Sequence, residues 1–276
     1  MAAQHDQVFF PATFQELFSS WARFPEALPF AGGTAFICSQ GAHIPKLPQS
    51  ILSLDKLEEL RRITRTELYL ELGAMVKIND VIRLGKIVPE ALRLSLEGIG
   101  CPQLRSLATI GGNICFRNRR LDASAALAAL DAAYELRSAQ STRWISAARF
   151  SSFRGLPAFN QGELLTRIRV PLEQWNYTAY RKFGNSLDDG GTVVFIMKNR
   201  KNMLDDIRIV FAGKGILRDK NSEASLIGKQ LPLNIRETEN FMERWKAFIS
   251  ALEEPDLFTR TGIFNFVETL ILNLAD

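Results

Sequence analysis

Two pairs of adjacent glycines constrain this 276-residue chain more than any other feature of its sequence. The first pair stands in "PFAGGTAFI", from Pro29 to Ile37, and the second in "LATIGGNICF", from Leu107 to Phe116. Glycine packs no side chain and loses more backbone entropy on folding than other residues, so a glycine pair is rarely tolerated inside a buried strand. We therefore expect each pair to form a turn that ends an apolar strand.

Both turns have the chemistry that an anion requires. Successive glycines let backbone N–H groups point into one concavity, and each pair is followed by a small polar residue, Thr34 or Asn113. Neither turn matches the dinucleotide motif G-x-G-x-x-G or the P-loop. A single Gly-Gly pair is more often an ordinary tight turn. Two loops of this form would hold a pyrophosphate from two sides without much net positive charge.

The bulk composition indicates an ordinary globular protein. Hydrophobic residues make up 46% of the chain and charged residues 23%, so a large core can form. The net charge of +4 is modest and does not by itself suggest a nucleic-acid partner. No uninterrupted apolar run is long enough to cross a bilayer, and the N-terminus lacks the pattern of a secretory signal. We expect the cytoplasm as the location.

The cysteines and histidines do not predict a metal site in this chain. Cys38, Cys101 and Cys115 are widely spaced and form no Cys-x-x-Cys pair, which argues against a zinc or iron–sulfur site. We interpret the three cysteines as small core residues in a reducing compartment. The two histidines, His5 and His43, lie near no Ser or Cys motif and are expected at the surface.

Local patterns predict a mixed order of helices and strands up to about Val170, and then strands followed by helices. This order favours an α+β chain with a boundary near Pro171. The segment from 192 to 217 predicts a β-hairpin, and the C-terminal end predicts helices. An apolar helix face, either core or subunit contact, is predicted for Phe264, Val267, Ile271 and Leu274.

Two helix starts can be assigned from capping residues. Thr13 precedes "FQELFSSWAR" and is a candidate N-cap, and Pro25 follows the end of that segment. Asp122 stands immediately before the alanine-rich "ASAALAALDAA" and is placed as the N-cap of a second helix.

The segments "AGGTAF" and "CPQLRSLATIGGN" strongly resemble the two signature segments of a known family, the FAD-binding medium subunits of molybdenum hydroxylases such as xanthine dehydrogenase and carbon monoxide dehydrogenase. The resemblance covers essentially the whole chain, and the second segment is its most specific part. It implies a two-subdomain FAD-binding fold of the PCMH (vanillyl-alcohol oxidase-like) type, followed by a smaller α+β domain with a three-stranded sheet and helices. The FAD-binding domain would span 1–170, with subdomains at about 1–58 and 59–170, and the C-terminal domain 171–276.

The same resemblance implies that the FAD diphosphate lies between the two glycine loops. The residues that would hold it are Phe30, Ala31, Gly32, Gly33, Thr34, Ala35 and Phe36 on one side and Thr109, Gly111, Gly112 and Asn113 on the other. Asp122 matches an acidic position that hydrogen-bonds the cofactor, and it would serve equally as a helix N-cap. Leu165 matches an apolar position near the adenine, and Lys182 a lysine near the isoalloxazine. A core strand residue and a surface lysine are the alternatives for these two.

The chain departs from the family pattern at two places. Ala35 stands where the first loop often carries Asp, which removes one side-chain acceptor. The stretch after the second loop, "CFRNRR", is bulky and basic where relatives often have small residues. Its arginines, Arg117, Arg119 and Arg120, could meet a phosphate or an acidic partner, and a solvated loop is the alternative.

The resemblance implies a flavoprotein subunit with no catalytic residue of its own, in which FAD carries the redox chemistry. Electrons would arrive from a partner subunit with [2Fe-2S] clusters, and a molybdopterin-binding large subunit would hydroxylate the substrate. The acceptor would be NAD+ or another oxidant. Two alternatives stay open: a flavin-poor scaffold of such a complex, and a free-standing flavin oxidase of the same fold.

Overall fold

The computed structural model describes residues 7–41, 44–116, 121–150, 157–184, 190–252 and 255–274. Within these ranges the chain forms three β-sheets and two hydrophobic cores. The expectations for His5, for His43 and for the three arginines of the basic stretch (117–120) fall outside the described residues.

The part of the chain before residue 172 mixes strands and helices. In chain order the elements are β1 (Gln7–Phe9), α1 (Phe14–Arg23), β2 (Leu28–Phe30), α2 (Thr34–Cys38), β3 (Ser50–Ser53), β4 (Ile63–Arg65), β5 (Tyr69–Gly73), α3 (Ile78–Arg83), α4 (Glu90–Glu97), α5 (Pro102–Arg105), α6 (Ile110–Ile114), α7 (Ala123–Ala129), β6 (Ala133–Arg137), β7 (Thr142–Ser146), α8 (Ala147–Phe150) and β8 (Leu164–Pro171). Short 3-10 turns follow β3 and α3, at Glu58–Arg61 and Gly85–Ile87. The strands form a parallel sheet in the order β1-β3-β2 and an antiparallel sheet in the order β4-β5-β8-β6-β7.

The remainder of the chain is a hairpin-based sheet followed by helices, as the sequence predicts. Its elements are β9 (Tyr177–Phe183), β10 (Gly191–Arg200), β11 (Met203–Ala212), β12 (Ile216–Leu217), α9 (Lys220–Leu226), α10 (Ile235–Ala251) and α11 (Leu257–Leu272). The third sheet has the antiparallel order β12-β11-β10-β9. It therefore has four strands rather than the expected three, because the two-residue β12 folds back onto the outer side of β11.

The alanine-rich helix α7 joins the two parts of the structure. All seven of its residues are buried, and it packs against β10 and β11. Because side chains alternate across a strand, one face of the third sheet joins the core around α7, and the opposite face packs with α10 and α11 in the second core. The first core thus continues past residue 170, and the division of the chain into domains at that point stays a prediction.

Capping explains where two helices begin. The Thr13 side chain accepts a hydrogen bond from the Glu16 N–H and starts α1, which confirms that prediction. At α10, Asn234 and Glu237 form a reciprocal capping box. Each bond satisfies one of the N–H groups that a helix start leaves without a partner.

The predicted apolar face of the last helix is confirmed as core. Val267 and Ile271 are fully buried, and Phe264 and Leu274 pack against the same cluster.

The interpretation of the cysteines as core residues is wrong for two of the three. Cys38 and Cys101 are exposed, at the end of α2 and at the start of α5, whereas Cys115, which follows α6, is half-buried and packs against the first core. Within the described ranges no cluster of three His, Cys, Asp or Glu side chains could hold a metal ion.

Among the helices that the structure describes, none combines the length and the apolar character needed to span a bilayer.

A buried carboxylate fixes the segment that leads into β8. Glu163 has a side chain only 4% exposed, and its two oxygens accept from Arg143 Nε at 2.6 Å and Nη2 at 2.8 Å. The same carboxylate accepts from the Asn160 N–H at 2.7 Å. The hydrogen bond from Arg143, with support from Asn160, holds the pKa of Glu163 below its ordinary value.

We expect Glu163→Gln to lower the free energy of unfolding by about 1–2 kcal/mol at neutral pH, because hydrogen bonds to a charged group are lost. The lowered pKa means that the carboxylate stabilises the fold above the unfolded-state pKa of about 4.3 and loses this effect as the pH falls through the folded-state pKa. Urea unfolding of both proteins across the acid range measures the difference, which should shrink toward low pH. A difference that stays constant with pH would contradict this explanation.

Candidate cofactor-binding site

The first glycine loop connects β2 to α2 through a backbone conformation that requires glycine. Gly33 has φ +67° and occupies the N-cap position of α2. This left-handed conformation is readily available only to glycine. A Cβ at Gly33 would also lie 2.7 Å from the ring of Phe30, which closes β2. The glycine is therefore needed to turn the chain from the strand into the helix.

This first loop presents a row of free hydrogen-bond donors. Within the described ranges, no protein acceptor bonds the N–H groups of residues 32–36. A helix start always leaves such groups without an intrahelical partner, and here no side chain caps them. Residues 30–36 are half-buried, so the donors border a partly enclosed surface. Such an arrangement suits an anionic group.

The second glycine pair does not end a strand, as was expected, but lies within the short helix α6. Thr109 is the N-cap, and its Oγ1 accepts from the Gly112 N–H at 3.0 Å. The Gly111 N–H donates to the Ala74 carbonyl at 2.9 Å, and the Asn113 N–H to the Thr109 carbonyl at 3.0 Å. The backbone donors of this second loop are therefore used inside the protein, in contrast to those of the first.

The two glycines of the second loop serve different purposes. Gly111 is buried, and a Cβ there would lie 2.6 Å from the Ala74 carbonyl oxygen, so this glycine lets two backbone segments pack closely. Gly112 is exposed, and a Cβ there would approach only the side-chain oxygen of Thr109, at 2.9 Å. Of the pair, Gly112 is the one with a face open to a ligand.

The structure brings the two loops into direct contact. A Cβ at Gly32 would lie 2.0 Å from the carbonyl oxygen of Leu107, the residue that enters the second loop. Only a residue without a side chain permits this approach. The sequence prediction that two separate loops border one space therefore has a geometric basis, while their contacts with a cofactor stay a prediction.

Asp122 does not act as the N-cap that its position suggests. Its backbone is already helical and its side chain makes no capping bond. Asn113 caps α7 instead, because its Oδ1 accepts from the Ala123 N–H at 3.2 Å. The Asp122 carboxylate, with a side chain 10% exposed, pairs with the Lys182 ammonium at 2.7 Å. Two predicted site residues that lie 60 positions apart are thus neighbours.

Sequence analysis did not identify Tyr180, which completes this group. Its hydroxyl donates to Asp122 Oδ1 at 3.4 Å. Burial, with the Asp122 charge in addition, raises the pKa of Tyr180 above its ordinary value, so the phenol stays protonated. Tyr180 and Lys182 lie two residues apart on β9 and share one face of the strand. The two-residue spacing from Lys182 is the sequence signal that could have identified Tyr180.

The remaining predicted residues are placed as follows. Leu165 lies in β8, is 2% exposed and pairs with Leu136 across the sheet. Its side chain belongs to the hydrophobic core, so a contact with the adenine stays a prediction. Phe30 and Phe36 flank the first loop, and their rings form an edge-to-face pair with centroids 5.8 Å apart.

The sequence is similar to those of two dehydrogenase subunits. The chain is 29% identical over 210 residues to the glyceraldehyde dehydrogenase medium chain of Sulfolobus acidocaldarius, covering 74% of each protein. It is 26% identical over 246 residues to the nicotinate dehydrogenase FAD-subunit of Eubacterium barkeri, covering 84% of this chain and 82% of that protein.

A solved structure shows the same fold. A chain of carbon monoxide dehydrogenase from Hydrogenophaga pseudoflava matches with a TM-score of 0.81 at 22% identity, covering 100% of this chain and 98% of the other. This likeness confirms the predicted fold class.

The family is shown by the sequence itself. Residues 4–173 match the model of the family described as "FAD binding domain in molybdopterin dehydrogenase". The matched segment covers more than half of the chain and includes both glycine loops. The chain therefore belongs to this family and is an FAD-binding subunit of a molybdenum hydroxylase.

Proposed function

We propose that this subunit passes electrons from the [2Fe-2S] clusters of a partner subunit to NAD+ or another acceptor, within a xanthine dehydrogenase-like complex. The substrate is hydroxylated in a separate molybdopterin-binding subunit. FAD, when bound, supplies the redox chemistry, and the protein supplies binding and electrostatics. The observation that supports this proposal is the row of unbonded N–H groups in the first loop, in contact with the second loop of the family motif.

The two loops divide the work of binding the diphosphate. The N–H groups of residues 32–36 would donate to its oxygens, which would give those donors the acceptor that the described part of the protein does not provide. The second loop contributes a shaped surface, because Thr109, Gly111 and Asn113 hold it rigid through internal bonds. Gly112 leaves that surface open.

The Asp122–Lys182 pair orients a positive charge toward the flavin end of the site. Asp122 is fixed at the start of α7 and Lys182 is on β9, so the ion pair ties the third sheet to the loops. The Tyr180 hydroxyl supports the same carboxylate. The Lys182 side chain is about one-third exposed, and the 2.7 Å ion pair with Asp122 positions its ammonium.

The acceptor is tested in the assembled complex. The complex is purified with its partner subunits, reduced, and mixed rapidly with NAD+ or, separately, with a quinone, while the flavin absorbance is followed. Fast reoxidation by one of the two identifies the acceptor. A complex that releases no FAD on denaturation after incubation with FAD would contradict the proposal and favour a scaffold. Flavin that stays attached after acid precipitation would favour a free-standing oxidase.

We expect Gly112→Glu to weaken FAD binding by at least about tenfold, equivalent to about 1.4 kcal/mol, because a carboxylate then occupies the open face beside the diphosphate. The melting temperature is recorded alongside, because a Cβ at Gly112 would lie 2.9 Å from the Thr109 Oγ1 that caps α6 and should lower it somewhat. FAD titration followed by flavin fluorescence measures the effect. Gly215→Glu is the matched control, because a Cβ at Gly215 meets nothing within 4 Å. Equal affinity of the Gly112 variant and this control would contradict the binding of the diphosphate between the two loops.

We expect Asp122→Asn to lower FAD affinity roughly tenfold, because Lys182 loses its anchor and its charge moves. Lys182→Met should have a similar effect. If the two residues act as one unit, the double variant is no weaker than either single variant, and a double-mutant cycle in FAD affinity measures this coupling. Fully additive effects would show that the pair does not act as a unit. Asp205→Asn, which breaks a more exposed ion pair, serves as the control.

A further inference from the structure

Lys77 lies where the two glycine loops meet, although it belongs to neither. Its Nζ donates to the Leu107 carbonyl oxygen at 3.1 Å, and this is the same oxygen that approaches Gly32. Lys77 also forms an isolated β-bridge with Thr109, the N-cap of α6. One carbonyl therefore contacts the first loop and the lysine at once, and the lysine is fixed in register with the second loop.

Among the residues that the structure describes, no carboxylate forms an ion pair with Lys77. Of the two carboxylates that act on it, Asp55 is bound by Arg61 at 2.6 Å, and Asp80 lies near Arg83 at 3.4 Å. Within the described ranges, the hydrogen bond to Leu107 is the contact found for Nζ. An ammonium has three N–H donors, so two remain for another acceptor.

The surroundings of Lys77 make an anion the fitting acceptor. The side chain is half-buried, and burial, with Arg61 in addition, lowers the pKa of Lys77. An anion close by would relieve this unfavourable environment of the charged form. The N–H groups of residues 32–36 begin at Gly32, and among the described residues they also have no acceptor. Positive charge and free donors thus gather at the contact between the loops.

We propose that Lys77 is a further FAD-binding residue, which supplies positive charge to the diphosphate held by the two glycine loops. This inference rests on the proposed function, since it requires FAD at these loops. It also changes the expectation that the loops hold a pyrophosphate with little positive charge. Backbone donors orient the oxygens, and Lys77 offsets their negative charge.

Three variants of the complete protein separate charge from structure. Lys77→Gln removes the charge and keeps a side-chain donor for the Leu107 carbonyl, whereas Lys77→Arg keeps the charge. Lys86→Gln, at an exposed position in the 3-10 turn after α3, is the matched loss of one charge elsewhere. FAD affinity is titrated by flavin fluorescence at low and at high salt, and the melting temperature reports on folding. Lys77→Met, of similar length, replaces the Gln variant if that one does not fold.

We expect Lys77→Gln to bind FAD about tenfold more weakly at low salt, with a smaller difference at high salt because the interaction is screened. Lys77→Arg should restore most of the affinity, and Lys86→Gln should match the parent. If the parent protein binds FAD and Lys77→Gln binds it equally well, the role of Lys77 is overturned while the proposed function stands. An arginine variant as weak as the glutamine variant would also overturn it. A parent that binds no FAD would overturn the proposed function together with this inference.

Discussion

The contact between Gly32 and the Leu107 carbonyl is the constraint on which the site depends. With no side chain at Gly32, the backbone of the first loop lies against the entry to the second, and a Cβ would meet the oxygen at 2.0 Å. This contact sets the first loop, with its unbonded N–H groups, beside the surface that Thr109 and Gly111 hold in place. Without it, the donors and the opposing surface would belong to separate pieces of the molecule.

The two glycine pairs look alike in sequence but solve different physical problems. In the first loop, Gly33 provides a left-handed backbone and leaves donors unpaired. In the second loop, Gly111 lets the short helix α6 pack closely against the Ala74 backbone. The backbone N–H groups of this loop bond acceptors inside the protein. A ligand between such loops would contact hydrogen-bond donors on one side. On the other side it would contact a surface whose N–H groups are already bonded within the protein.

Much of the fold could be predicted from local patterns, because Thr13, the β10–β11 hairpin and the face around Val267 each follow from short-range rules. The errors arose where residues far apart in the sequence determine which side chains bond to each other. Asp122 was assigned as a cap, but Asn113 caps α7 and Lys182 takes the carboxylate. Neither of these two contacts can be predicted from the residues that neighbour Asp122 in the sequence. The fourth strand of the third sheet, β12, was not predicted, because a segment of two residues is too short to show the alternation of a strand.

The helix α7 has a consequence for how the chain behaves as a whole. It belongs to the family's FAD-binding segment, yet its alanines pack against the apolar face of β10 and β11. A chain cut after residue 173 would leave this surface in water, where its exposure is unfavourable. The two parts are therefore expected to unfold cooperatively. The unit that unfolds extends beyond residue 173, where the match to the family ends.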